Sequence, residues 1–178
     1  MWKDLNNRVT VLEEENRRLA RKVTTERYMS SVGNLIRRYR RFIFLELIML
    51  LFIPLMIYNN PLSVEKYRLV TTIYWCGFFL IEIGIDFYLL IRVKDMDLNN
   101  YSVSKIARMA SQNWKFHKIA IMIGLPLAIG ALVLFALAMD ANDFVIYGMF
   151  LGFVIGLVIG IRQLLKFRNE YRLLSTEE

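Results

Sequence analysis

One cysteine, one histidine and three prolines in 178 residues leave little material for several kinds of chemistry. Cys76 has no second cysteine to form an intrachain disulfide with, and a lone Cys beside a lone His cannot make a metal cluster of workable ligand count. No GxSxG, P-loop or GxGxxG sequence is present, so the usual signatures of acyl transfer, phosphate cradling and dinucleotide binding are missing. We therefore expect no enzyme, no cofactor and no metal. The first apolar run starts some 40 residues into the chain, behind a charged segment. A cleavable signal peptide is not expected, and that first run reads as an uncleaved anchor.

Basic residues are also scarce in particular places. Of 23 Lys and Arg, only Lys66 and Arg68 fall outside residues 1–41, 92–118 and 162–178. Between the basic segments lie four apolar runs, at about 42–58, 69–91, 119–139 and 143–165, in a chain that is 56% hydrophobic. Each run is close to the ~20 residues a helix needs to cross a ~30 Å hydrocarbon core, and none alternates as a barrel strand would. The positive-inside rule then places both termini and the 92–118 loop in the cytoplasm and turns Asn59–Arg68 and Asp140–Asp143 outward. Tyr58, Tyr67, Tyr74 and Trp75 would form one aromatic belt, and Trp114 and Tyr171 the other.

The polar segments carry their own patterns. From Trp2 a heptad places Trp2, Leu5, Val9, Leu12, Asn16, Leu19 and Val23 at a and d positions, with Glu13, Glu14, Glu15, Arg17 and Arg18 between them. This resembles a short parallel leucine zipper. Leu at d, Val at a and one central Asn at a favour two strands in fixed register, and Arg8 at g would face Glu13 of a partner. The alternative is a solvated amphipathic helix packed on the end of its own bundle. In a DNA-binding bZIP helix the basic region precedes the zipper, whereas here Arg37, Arg38, Arg40 and Arg41 follow it and abut the first apolar run, so lipid head groups are expected rather than nucleic acid. Tyr28, Val32, Leu35, Ile36 and Tyr39 give that stretch an apolar face suited to the membrane surface, with Gly33 at a bend. In the central loop a stripe of Val103, Ile106, Ala107, Ala110, Trp114 and His117 belongs on the inner leaflet or against the arm. His117 there reads as an interfacial polar tip.

Inside the apolar runs two features stand out. Gly148, Gly152, Gly156 and Gly160 recur every four residues and lie along one slanting face, a pattern that permits close helix packing. The neighbour is either the third run, with Gly124, Ala128, Gly130 and Ala131, or the same helix of another copy. Glu82 and Asp86 are one turn apart, and Glu46 and Arg162 should fall at a similar depth. Carboxylates in hydrocarbon are costly and usually face a bundle interior, paired or protonated. The four residues form either an ion site with Arg162 as counter-charge or a structural cluster.

The expected fold is therefore all-α: a polytopic membrane protein with four transmembrane helices and an N-terminal cytoplasmic amphipathic/coiled-coil helix. Residues 1–41 are the arm, 42–166 the transmembrane bundle with loop 92–118, and 167–178 a cytoplasmic tail. The plan is similar to that of small bacterial inner-membrane proteins. The expected role is a homo-oligomeric regulatory or scaffolding protein of the inner (plasma) membrane, with lipids, itself and a cytoplasmic protein as partners. The alternative is a small oligomeric channel or ion-coupled transporter using Glu82 and Asp86.

Overall fold

A computed structural model describes residues 2–59, 64–97, 101–139 and 143–175, and those residues are helical apart from short connections. The helices are α1 (Trp2–Asn59), α2 (Glu65–Lys94), α3 (Val103–Ala138) and α4 (Asp143–Ser175). Three are long and apolar enough to cross a membrane, over Val9–Asn59, Val103–Ala138 and Ile146–Ser175. α2, which carries both Glu82 and Asp86, is not among those three.

The boundaries of the elements have local causes. Ser102 caps α3 by accepting a hydrogen bond from the Lys105 amide, and the Asp95 amide closes the last turn of α2 on the Ile91 carbonyl. The Val64 amide donates to the Ala138 carbonyl at 2.7 Å and so ties the start of α2 to the end of α3. Pro54 and Pro126 are accommodated inside α1 and α3.

α1 runs unbroken for 58 residues, through Gly33 as well. At 1.5 Å per residue that is about 87 Å, nearly three times the hydrocarbon thickness. Its first turns therefore project well beyond the bundle. The stretch around Gly33 does not bend away to lie flat.

Two clusters hold the helices together. At the basic end all four contribute: Tyr28, Leu35 and Tyr39 of α1, Leu89, Leu90 and Val93 of α2, Ile106 and Ala110 of α3, and Phe167, Tyr171 and Leu174 of α4 are buried against one another. At the other end Ile53 and Ile57 of α1 meet Phe79 of α2 and Met139 beyond α3, with Trp75, Phe78 and Phe135 around them. α2 lies between α1 and α3, α4 packs on α3 and α1, and the arm and the last turns of α4 emerge at the same end.

Several expectations change here. The 28–39 face expected on the membrane surface is core, because Met96, Ile106 and Phe167 cover it. The stretch from Val103 to His117 opens α3, and of its two expected places it takes the one against the arm: Ile106 and Ala110 are buried in the cluster that holds Tyr28, Leu35 and Tyr39. Residues 167–175 continue α4, and Phe167, Tyr171 and Leu174 are among its most buried residues. Tyr74 and Trp75 face inward: the Tyr74 hydroxyl donates to the Leu127 carbonyl at 3.1 Å, and Trp75 stacks on Phe79.

Candidate functional site

Two polar layers sit between the helices. The inner one is acidic. Glu46 of α1 and Glu82 and Asp86 of α2 come together as expected, close enough that the charges acting on Glu46 and Asp86 are those of the other carboxyls in the group. Asp86 is only 9% exposed, and Glu46 Oε2 is buried with no hydrogen-bond partner among the described residues. Glu82 reaches across to α3, where its Oε1 lies 2.5 Å from the point a Cβ would occupy on Gly124. A Cβ at that position would force the carboxyl to shift, so the space at Gly124 is taken up by Glu82 and not by the glycines of α4.

Arg162 does not complete this group. It is exposed on α4 and is not among the charges that act on the three acids. The physical reason is position: on α4, residues 150–162 are all exposed, and the helix joins the four-helix cluster through its last turns. Among the described residues no set of three or more His, Cys, Asp or Glu is arranged to hold a metal ion. What the carboxyls can do chemically is exchange protons.

The second layer lies toward the basic end and was not read as a unit from sequence. The Tyr39 and Tyr171 hydroxyls are 3.0 Å apart, and Tyr39 also approaches His117 Nδ1 at 3.4 Å. His117 is enclosed by rings, with the Phe167 centroid at 4.8 Å and Trp114 stacked on it at 5.8 Å. It is half-buried among these rings and not a free tip. Asp86 acts electrostatically on both tyrosines, which joins the two layers. Asn113, buried beside this layer on α3, leaves its Nδ2 without a partner among the described residues. The i, i+4, i+7 spacing of Phe167, Tyr171 and Leu174 was the available signal for the α4 contribution.

The remaining candidate residues divide by whether they touch the bundle. In the arm, Val9, Leu12, Leu19 and Val23 are between 46% and 60% exposed, and Asn16 is exposed as well. The side chain of Leu5 lies outside the described residues. Arg37 is engaged locally with Asn34 Oδ1 at 2.8 Å, Arg38 donates to Gln163 Oε1 at 2.9 Å, and Arg40 and Arg41 are exposed. Around Gly148, Gly152, Gly156 and Gly160 an added Cβ would meet nothing within 4 Å. The third helix is thus not the partner of that stripe, since its own Gly124 and Gly130 face Glu82 and Tyr74 of α2.

No protein-family model, curated protein or solved structure matches this chain.

Proposed function

We propose that this chain is a homo-oligomeric scaffolding or regulatory protein of the bacterial inner membrane, and that its projecting arm pairs with the arm of a second copy. The observation that carries the reading is the exposure of the heptad residues. Val9, Leu12, Leu19 and Val23 are exposed, and among the described residues the first core residue of α1 is Tyr28. Four large apolar side chains on a helix outside the apolar segments remain in water unless another helix covers them. Each is worth roughly 1.5–3 kcal/mol when fully buried. Asn16 at a central a position then fixes two strands in register, since its amide is satisfied only opposite its counterpart.

In this reading α2 is the fourth span. Its 30 residues give about 45 Å of helix, and it lies between two helices that are themselves long and apolar enough to cross. Glu82 and Asp86 are then screened from lipid by those neighbours. Four spans place both termini on one side, and the distribution of Lys and Arg makes that side the cytoplasm. The exposed arm and the basic end of the bundle together form the platform offered to a cytoplasmic protein. The reading is tested by the mass of the purified protein in nanodiscs, for the full chain and for a chain lacking residues 1–26. A defined oligomer that falls to monomer without the arm supports it, and an oligomer that persists unchanged removes the arm from the account.

A second reading is favoured by the gathering of Glu46, Glu82 and Asp86, with no cation among the charges of the described residues that act on Glu46 and Asp86. A proton-coupled channel or transporter would use that cluster as its carrier site. Proton uptake into liposomes separates the two readings. Glu82→Gln and Glu82→Leu should both abolish flux in a transporter, whereas insertion and assembly unaffected by either change, with no flux in the parent protein, would sink the transporter.

A further inference from the structure

Among the described residues, the polar and aromatic ring contacts between α1 and α4 fall in one short stretch. Asn34 donates to Glu170 at 3.1 Å, Arg38 to Gln163 at 2.9 Å, the Tyr39 and Tyr171 hydroxyls meet, and the Phe42 and Phe167 rings lie 5.9 Å apart. Beyond Gln163, in the direction of the membrane, residues 150–162 of α4 are all exposed. The two helices therefore touch at the basic end and leave a cleft between their apolar segments.

Arg38 stands at the foot of that cleft. Its one hydrogen bond goes to a neutral amide, and its Nε is buried with no partner among the described residues. Helical spacing brings further cations to the same place: Arg41 is one turn after Arg38, and Arg162 and Lys166 flank Gln163. The acid of this interface, Glu170, is a further two turns along α4 and already accepts from Asn34. Arg37 is occupied by Asn34 Oδ1 and the Gly33 carbonyl and takes no part.

We infer that Arg38, Arg41, Arg162 and Lys166 bind the phosphate of an anionic phospholipid whose acyl chains fill the cleft between α1 and α4. A guanidinium fork with unused donors suits a phosphate oxygen better than a lone ammonium does. The depth fits as well: Arg38 and Arg41 precede the first apolar run and Arg162 and Lys166 close the last, which is head-group level for both helices. The inference rests on α1 and α4 both crossing the membrane. It does not rest on the arm or on any oligomer.

The test is native mass spectrometry of the delipidated full chain with added phosphatidylglycerol or phosphatidylcholine of matched acyl chains. The intact protein should retain phosphatidylglycerol preferentially, and Arg38→Gln with Lys166→Gln should reduce that preference roughly tenfold. Arg108→Gln with Lys115→Gln, which removes as much charge from α3 at the same end, should leave it intact. Arg162→Gln with Lys166→Gln touches only α4 side chains outside the core and serves if the Arg38 change disturbs folding, which elution volume and far-UV dichroism report. Equal retention of the two lipids, an equal loss in the α3 control, or displacement of the lipid by inorganic phosphate alone would each overturn the lipid site. So would a cleft filled by a second copy, seen as a dimer that excludes lipid and dissociates in the Arg38 variant.

Discussion

The tyrosine pair offers a quantitative test of the core at the basic end. Tyr39 and Tyr171 are 0% and 1% exposed, so neither hydroxyl can turn to water when its partner is removed. Tyr171→Phe takes away the 3.0 Å contact but leaves Tyr39 with His117 Nδ1 at 3.4 Å. Tyr39→Phe strands both the Tyr171 hydroxyl and the imidazole. Leaving one buried polar group without its partner costs about 1–3 kcal/mol, whereas removing both ends together with rings of the same shape is nearly neutral. Tyr171→Phe strands no group and loses one hydrogen bond, a net cost of about 1 kcal/mol, whereas Tyr39→Phe strands two groups and, at about 1 kcal/mol each, should cost about 2 kcal/mol. The double variant strands only the imidazole and should cost about 1 kcal/mol, so it is no worse than the milder single change and about 2 kcal/mol better than the sum. Reversible unfolding in mixed micelles, followed by tryptophan fluorescence, gives the three values. A double variant as costly as the two singles combined, or Tyr171→Phe the more damaging of the two, would refute the shared network and leave two independent packing residues.

Further outcomes follow from other parts of the molecule. Leu12→Asn with Leu19→Asn should lower the oligomer number in nanodiscs as far as deletion of residues 1–26 does, and leave insertion unchanged. Gly130→Ala should destabilise by roughly 1 kcal/mol, because its Cβ would stand 2.8 Å from the Tyr74 hydroxyl and 3.5 Å from its ring, displacing the bond to Leu127. Micelle unfolding of Tyr74→Phe alongside it checks the cause: combined with Tyr74→Phe, the alanine should cost less than it does alone. Gly152→Ala with Gly156→Ala, where an added Cβ meets nothing within 4 Å, should leave unfolding of the monomer within about 0.5 kcal/mol or stabilise it. A larger loss there would mean the α4 face is packed even in the monomer.

The helices were legible in the sequence because their apolar runs and the spacing of Lys and Arg are long-range patterns that the bilayer imposes on any chain crossing it. Glu46, Glu82 and Asp86 were legible as a group for a related reason: the cost of a carboxylate in hydrocarbon leaves few places for it besides a bundle interior. The aromatic layer was not. Tyr39, Trp114, His117 and Tyr171 have an apolar body and a polar tip, which suits a membrane interface and a wet protein core equally well. Composition cannot choose between those two environments. The choice is made by Leu35, Ile106 and Phe167, which arrive from three different helices and bury the polar tips together.

Glycine shows the same ambiguity resolved in two directions within one chain. Gly124 and Gly130 of α3 make room for polar side chains of α2, and their spacing follows from where Glu82 and Tyr74 happen to reach. The four glycines of α4 are more regular, yet an added Cβ at any of them meets nothing within 4 Å among the described residues. A helix interior pays up to about 1 kcal/mol per glycine relative to alanine. On α3 that cost is offset by the Tyr74 hydrogen bond and by space for a carboxyl. On α4 an isolated chain has nothing to set against it. Regular glycine spacing is therefore weak evidence for intrachain packing, and irregular glycines opposite polar residues are stronger evidence. In this chain the bundle is held by the tyrosine layer, the Thr71 and Tyr74 bonds to α3 carbonyls, and the apolar cluster at each end, with the α4 glycines apart from all three.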